Sequence, residues 1–278
     1  MQINRVVADR RRQQKKLRKY FWGIILLLAV YFIALGIFVF IVWSPAFRAE
    51  SIIIQGNNTV SSVDIMNLLQ ASIIRRGNSP SAPNDGWKAM LGFHNLFIWP
   101  SALPSSTVAL IPQLAGITMS KNYFTHSITV TATERQPFAV WCTPDDSCFW
   151  FDEQGAVFAR TLDTEGNAFF VIHDHAQSAT GSSTLTLGEN VLPDEFLPNL
   201  ISIVDVLRAS GLNIQDTSLD DLSLQQIDVT LSNGPMLYFS LRFPSTGDLG
   251  VLQNLATQSD FSKLQYIDFT VQNRAYYK

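Results

Sequence analysis

Tyr20 to Trp43, "YFWGIILLLAVYFIALGIFVFIVW", runs 24 residues without a charged side chain. As a helix it is about 36 Å long, enough to cross a hydrocarbon layer of about 30 Å with some tilt. Tyr20, Phe21 and Trp22 at one end and Trp43 at the other put amphipathic rings where lipid headgroups would lie. A buried core helix would need polar breaks, and this run has none. A cleaved secretory leader would have a shorter apolar region, and the following "WSPAFRAE" lacks a small-x-small pattern. The expectation is one membrane-spanning helix, with a short tail before it and a large unit after it.

Charge predicts which side each part occupies. Residues 1–19 carry Arg5, Arg10, Arg11, Arg12, Lys15, Lys16, Arg18 and Lys19 against Asp9 alone. Of the 20 basic and 23 acidic residues in the chain, 12 and 22 remain beyond position 19. An excess of Lys and Arg marks the cytoplasmic flank, so residues 1–19 are predicted inside and everything after Trp43 outside. A basic tail also suits nucleic acid or acidic lipid, but topology signalling explains it with fewer assumptions. The acidic outer part argues against a nucleic-acid partner there.

Cys142 and Cys148 are the only cysteines, and they flank the turn-rich "TPDDS" between two strand-like runs. In an oxidising space such a pair can bridge across a hairpin, two free thiols being the alternative. A structural zinc site would need four ligands, and there is no other cysteine to supply them.

Beyond the span, Ser51 to Gln55 reads as a short β-branched strand stopped by Gly56, Asn57 and Asn58. Ser61 with Asp64 resembles a capping box opening a helix whose Ile65, Leu68, Leu69 and Ile73 share one face. Gly77 to Gly86 is a loop by composition. "SSTVALIPQ" predicts a brief helix ending near Pro112. Gln113 to Asn122 and Ser127 to Thr133 predict strands. The order is β-α-α-β-β.

A second unit follows Pro137. "FAVWC", "CFWFDEQGAVFAR", "AFFVIHD" and "TLTLGEN" predict successive short strands. Pro193 is expected to open a helix with Phe196, Leu200, Ile203, Val204 and Leu207 inward, ended by Gly211. "LSLQQIDVTLSNGPMLYFSLRF" predicts a hairpin around Asn233-Gly234. A short helix near Leu249 to Thr257 leads to a last strand, Gln265 to Val271. The fold class expected is α+β, with a mostly antiparallel sheet in the second unit.

Taken in order, these segments resemble the bacterial cell-division family FtsQ, called DivIB in other lineages. "IIIQGNNTVSSVDI" is similar to the strand, Gly-Asn turn and helix that open that family's POTRA domain. "ITVTATERQPFAVW" is similar to its strand ending in Glu-Arg-x-Pro, with Glu134, Arg135 and Pro137 in those positions. "FWFDEQGAVFA" matches its strand, Asp, Gly turn and strand through Asp152 and Gly155, and "YIDFTVQNRAYYK" resembles its terminal strand. Thr270 stands where Arg is common and Phe269 where Leu is. The stretch Arg75 to His94 is longer than the usual pattern, and "VIHDHAQSATGSST" does not align with it.

The resemblance implies a basic cytoplasmic tail (1–19), a transmembrane helix (20–43), a POTRA-like domain (47–135) and a β domain (136–278). It implies a scaffold at the division septum with no reaction or cofactor of its own. The β domain would hold small membrane proteins like FtsB and FtsL, and the POTRA-like part would make other divisome contacts. It also implies a domain junction at Glu134, Arg135 and Pro137.

Rival chemistry is sparse. His173 and His175 at i, i+2 of a strand point the same way and suit two ligands of a metal, which would make the protein an anchored metal-dependent hydrolase. A catalytic zinc needs a third ligand. His94 and His126 are far away in sequence, and no HExxH, GxSxG, GxxxxGK[ST] or GxGxxG occurs. Asp145-Asp146 and Asp220-Asp221 sit in turn-like contexts. A POTRA-type transport chaperone would carry repeated POTRA units, and only one is legible. No metal site and no small-molecule substrate are therefore expected.

The last strand raises a separate expectation. It carries no Lys or Pro to blunt its edge, and the seven residues after Val271 look too few to return as a paired strand. A partner strand would then cover it by strand addition, centred on Tyr266, Thr270, Val271, Asn273 and Tyr276, the alternative being that the strand lies inside the sheet or that residues 272–278 fold over its edge.

Overall fold

The computed structural model describes residues 3–74, 88, 91–145, 147–162, 169–175 and 185–278. The expected loop Gly77 to Gly86, Asp146, and residues 176–184 after His175 lie outside them. The protein is α+β, with one N-terminal apolar helix and a large mixed sheet.

Helix α1 spans Ile3–Trp43 in 41 residues, so the basic tail is helical and continuous with the apolar run. Within it, Phe21–Phe40 has a mean hydropathy of 2.9 and none of that window is buried, which is long and apolar enough to cross a membrane. The chain then divides into two compact units: residues 1–55, 61–102 and 118–131, and residues 56–60, 103–117 and 132–278.

A small sheet has the order β1 (Ser51–Gln55), β3 (Ser127–Glu134), β2 (Leu114–Asn122), with β1 parallel to β3 from Ser51 opposite Ser127 to Gln55 opposite Thr131. After β1 the chain must turn sharply. Gly56 sits at φ +80°, and a Cβ there would lie 2.3 Å from the Ala132 carbonyl oxygen, so only glycine fits. Helix α2 (Ser62–Ile73) follows, with Ser61 as N-cap accepting from the Val63 N–H at 3.2 Å. Its buried residues are Ile65, Leu68, Leu69 and Ile73, the face read from the sequence. The brief helix before Pro112 is α3, Ser105–Val108.

The large sheet has nine strands in the order β12-β11-β10-β9-β8-β7-β4-β5-β6. They are β4 (Ala139–Cys142), β5 (Cys148–Phe151), β6 (Val157–Thr161), β7 (Val171–Asp174), β8 (Ile214–Leu219), β9 (Gln226–Leu231), β10 (Met236–Ser240), β11 (Tyr266–Phe269) and β12 (Tyr276–Tyr277). The expected antiparallel bias is diluted. The pairs β4/β7, β7/β8 and β10/β11 are parallel, and the other five are antiparallel. Parallel neighbours need a crossover. Helix α4 (Leu197–Ser210) lies between β7 and β8 in the chain, and α5 (Asp248–Ala256) between β10 and β11.

Those helices supply much of the core. Leu200, Ile203, Val204 and Leu207 of α4 and Leu252 and Leu255 of α5 share one cluster with Trp141, Ile172, Val229, Leu237, Phe239, Ile267 and Phe269 from the strands. Alternation puts the residues between them on the opposite face. There Cys148, Cys142, His173, Ser218, Asp228, Tyr238, Asp268 and Tyr276 form one row across eight strands.

Four expectations are corrected. Helix α4 begins at Leu197 rather than Pro193: Pro193 starts a turn in which its carbonyl accepts from the Phe196 N–H, and Pro198 takes the first-turn position. "TLTLGEN" forms no strand among its described residues. Thr186 to Glu189 close a turn, with the Glu189 carboxylate accepting from the Thr186 N–H, and Asn190 makes only a single bridge to Ala156. Strand β8, in the middle of the sheet, was not expected at all. Finally, the chain does return after the last long strand, because β12 pairs with β11.

Candidate partner-binding edge

The sheet ends at β11 and β12. Strand β11 stops at Phe269, short of the expected Val271, because the Asp268 carboxylate accepts from both the N–H (2.7 Å) and hydroxyl (2.6 Å) of Thr270. That local bonding turns the backbone out of the ladder. The turn continues with the Arg274 N–H on the Val271 carbonyl at 3.1 Å and Asn273 at φ +58°, a conformation asparagine tolerates better than most residues. The last three residues then suffice to pair. Ile267 faces Tyr277 and Asp268 faces Tyr276, while the Lys278 N–H reaches the Tyr266 carbonyl at 3.3 Å and its own carbonyl accepts from Gln265 at 2.6 Å.

Of the five residues expected at the contact, Tyr266 and Tyr276 lie in the paired strands. Thr270, Val271 and Asn273 lie in the turn between them. Tyr277, absent from that expectation, belongs to the outermost strand. Tyr276 and Tyr277 are 47% and 57% exposed. Because the Tyr266–Lys278 pair is hydrogen bonded, alternation makes Asp268–Tyr276 bonded too, and directs the N–H and C=O of Tyr277 away from β11. The opposite edge of the sheet is different. Val157 at the start of β6 donates to the Glu189 carbonyl at 2.8 Å and accepts from the Gly188 N–H at 2.7 Å, so residues 188–191 cover the Gly155–Val157 end of it.

Glu134 and Arg135 prove to be fixed in place by dense bonding. The Glu134 carboxylate accepts from the N–H groups of Asn58 (2.7 Å), Thr59 (2.9 Å) and Val60 (2.9 Å) and from the Thr59 hydroxyl (2.8 Å). Burial alone would push this carboxyl up, but the bonds from Val60, Thr59 and Asn58 outweigh it and hold the group below its ordinary value. Arg135 pairs through its guanidinium with Asp152 and donates from Nε to the Pro112 carbonyl at 3.0 Å. Asp152 also accepts from the N–H groups of Gln154 and Ala156, both at 3.0 Å, closing the turn that Gly155 makes at φ +77°. Pro137 follows this pair and precedes β4.

The histidines are engaged by carboxylates rather than gathered round a common point. His173 Nδ1 lies 2.7 Å from Asp216 and His175 Nδ1 2.8 Å from Asp220, with the two rings stacked at 6.4 Å. Among the described residues no group of three or more His, Cys, Asp or Glu is placed to hold a metal. Asp228, on the same face, has its carboxyl pushed up by burial, which outweighs the bond from Gln226, and the nearby Asp220 raises it further. Cys142 and Cys148 form a disulfide with Cα atoms 4.0 Å apart, directly opposite each other at the end of the β4/β5 pair. The adjacent Thr143 N–H bonds Ser147, so the cysteines occupy a non-bonded pair, where side chains come closest.

No protein-family model matches the chain, and a search of curated proteins finds no match either.

Proposed function

We propose that this chain is a non-enzymatic, membrane-anchored scaffold of the FtsQ/DivIB kind, which captures other division membrane proteins by strand addition at β12. The observation that carries the reading is the outward backbone edge at Tyr277. The start of the other edge of the same sheet, at Val157, is bonded by its own chain, while here the Tyr277 N–H and C=O point outward with no partner among the described residues, beside the half-exposed rings of Tyr276 and Tyr277. Main-chain bonds to an added strand would supply affinity, and Tyr276, Tyr277 and Tyr266 would supply side-chain selectivity.

Other features agree with this reading. The excess of basic residues before Phe21 favours a cytoplasmic N-terminus and an extracytoplasmic remainder. A disulfide suits an oxidising compartment. The strand, helix, short helix and hairpin of residues 51–134 follow the order of a POTRA-like domain. The partners are expected to be small single-pass proteins like FtsB and FtsL, at the division septum.

Affinity capture with the full-length, membrane-embedded chain as bait tests the proposal. Small division proteins of the FtsB or FtsL type should be recovered from dividing bacteria. A folded, membrane-inserted bait that recovers no division protein overturns it.

A further inference from the structure

The β2–β3 turn is chemically unusual for a loop tip in water. Phe124 is 97% exposed, and Tyr123 and Phe97 are 43% and 42% exposed. Two backbone N–H groups of the turn are satisfied locally. Asn122 Oδ1 accepts from the N–H groups of Phe124 (2.9 Å) and Thr125 (3.1 Å), and the Thr125 and Ser127 hydroxyls are 2.8 Å apart. Two large rings thus project from a tip where the Phe124 and Thr125 N–H groups and the Thr125 and Ser127 hydroxyls already have partners.

Topology places that tip beside the end of α1. Strands β1 and β3 are parallel, with Ser51 opposite Ser127, so both begin at the same end of the small sheet. Strand β1 begins there just after the chain has left α1, and β3 begins there just after the turn. Backbone bonds tie the same parts together: Glu50 N–H to the His126 carbonyl at 2.7 Å, and Ala49 N–H to the His94 carbonyl at 2.6 Å. Side chains repeat the connection. Phe40, near the end of the apolar run, meets Phe47 at 5.9 Å between ring centroids. Phe47 meets Phe97 at 4.7 Å, and Phe97 meets Tyr123 at 6.2 Å. A continuous line of aromatic rings therefore leads from the apolar helix to the turn.

We infer that Phe97, Tyr123 and Phe124 form a lipid-contacting foot, seated in the headgroup–acyl boundary of the bilayer that α1 crosses. Aromatic rings favour that boundary, where headgroups and water can still meet the tip's carbonyls, and the N–H groups of Phe124 and Thr125, already bonded to Asn122, add no desolvation cost. The foot would fix the height and tilt of the first unit above the membrane, which a single helix leaves free. The inference rests on reading Phe21–Phe40 as a membrane span.

The test uses the full chain in phosphatidylcholine–phosphatidylglycerol vesicles. Both native cysteines are in the disulfide, so one added cysteine takes an environment-sensitive fluorophore selectively. Label at Phe124→Cys should emit to the blue of label at Val63→Cys and be quenched several-fold more strongly by lipids bearing a nitroxide near the headgroup. Val63 is 65% exposed at the start of α2, beyond the other end of β1. Label at Ile33→Cys, inside the apolar run, reports the span itself. If Ile33→Cys is quenched by deep nitroxides while Phe124→Cys behaves like Val63→Cys, the foot is wrong and the anchor stands. If Ile33→Cys is not quenched either, the span reading fails and takes the foot with it. A label at Thr125→Cys guards against insertion driven by the dye. Its blue shift should disappear when Phe124→Asp is added, and a shift unchanged by that substitution overturns the role of the ring.

Discussion

Glu134 and Arg135 are neighbours in the chain and make different kinds of bond. Arg135 meets Asp152 where both side chains are largely out of water, 19% and 5% exposed. Removing one member of such a pair leaves the other charge without its partner, so Arg135→Met is expected to cost about 3–5 kcal/mol in urea unfolding. Asp152→Asn should cost less, because the backbone bonds from Gln154 and Ala156 can still reach its Oδ1. Equal losses would mean that the ion pair is not the dominant contribution. Glu134 couples instead to pH. Its folded-state carboxyl is held below the ordinary value, so its contribution is complete above the ordinary glutamate range and is lost as pH falls through the lowered folded value. Glu134→Gln should therefore lower stability at neutral pH and flatten the acid limb of the stability curve. A variant whose acid limb superimposes on the parent would remove Glu134 as the cause. The opposite sign applies at Asp228, whose raised carboxyl is a cost at neutral pH. Asp228→Asn keeps an acceptor for Gln226 and should raise the urea midpoint at neutral pH. A midpoint that falls would show that the charge is needed.

Strand β12 is only two residues long, yet the alternation of its backbone separates two roles that proline can distinguish. The Tyr276 N–H points in toward Asp268, and the Tyr277 N–H points out. Tyr277→Pro removes the outward donor, a position where edge strands tolerate proline. It should leave the unfolding midpoint near that of the parent and weaken partner capture. Tyr276→Pro should lower stability by breaking the bond to β11. If Tyr277→Pro captures partners as well as the parent does, strand addition at this edge is wrong. The same comparison at Thr270 and Val271 would be uninformative, since both lie in the turn and the Thr270 N–H serves the Asp268 side chain. Strand β8 shows why a central element escaped the sequence. "IQDTSL" places Asp216 and Ser218 toward the histidine face, and the inward positions include Thr217. Its alternation is carried by small polar residues, which score as loop until neighbours on both sides are known.

For the whole chain, the orientation of α1 is the property on which the proposed function depends. A reporter that fluoresces only in the cytoplasm should be bright at the N-terminus and dark when fused after Lys278. Equal brightness at both ends would overturn the extracytoplasmic scaffold. Much of the architecture could be read from the residues because its cause is local. An uncharged run of 24 residues, a Ser cap ahead of a 3.6-residue apolar period, and Asn-Gly between alternating strands each act within one or two turns of chain. Gly56 and Gly155 were legible for the same reason, since a positive φ excludes nearly everything else. The Asp152 partner of Arg135, the carboxylates on His173 and His175, and the order of the nine strands were not legible. Arg135 and Asp152 meet across the β4–β5 hairpin between them, the histidine contacts and the strand order depend on crossovers through α4 and α5, and none of these follows from a local period. The last strand is the sharpest case. Its alternation was visible, but whether its edge is bare was decided by a turn at Asn273 and three residues that return along it. Asp268 and Asn273 favour the turn, but the backbone pairing of β12 itself carries no side-chain signature, so the exposed edge passes from β11 to Tyr277 only when the chain is folded.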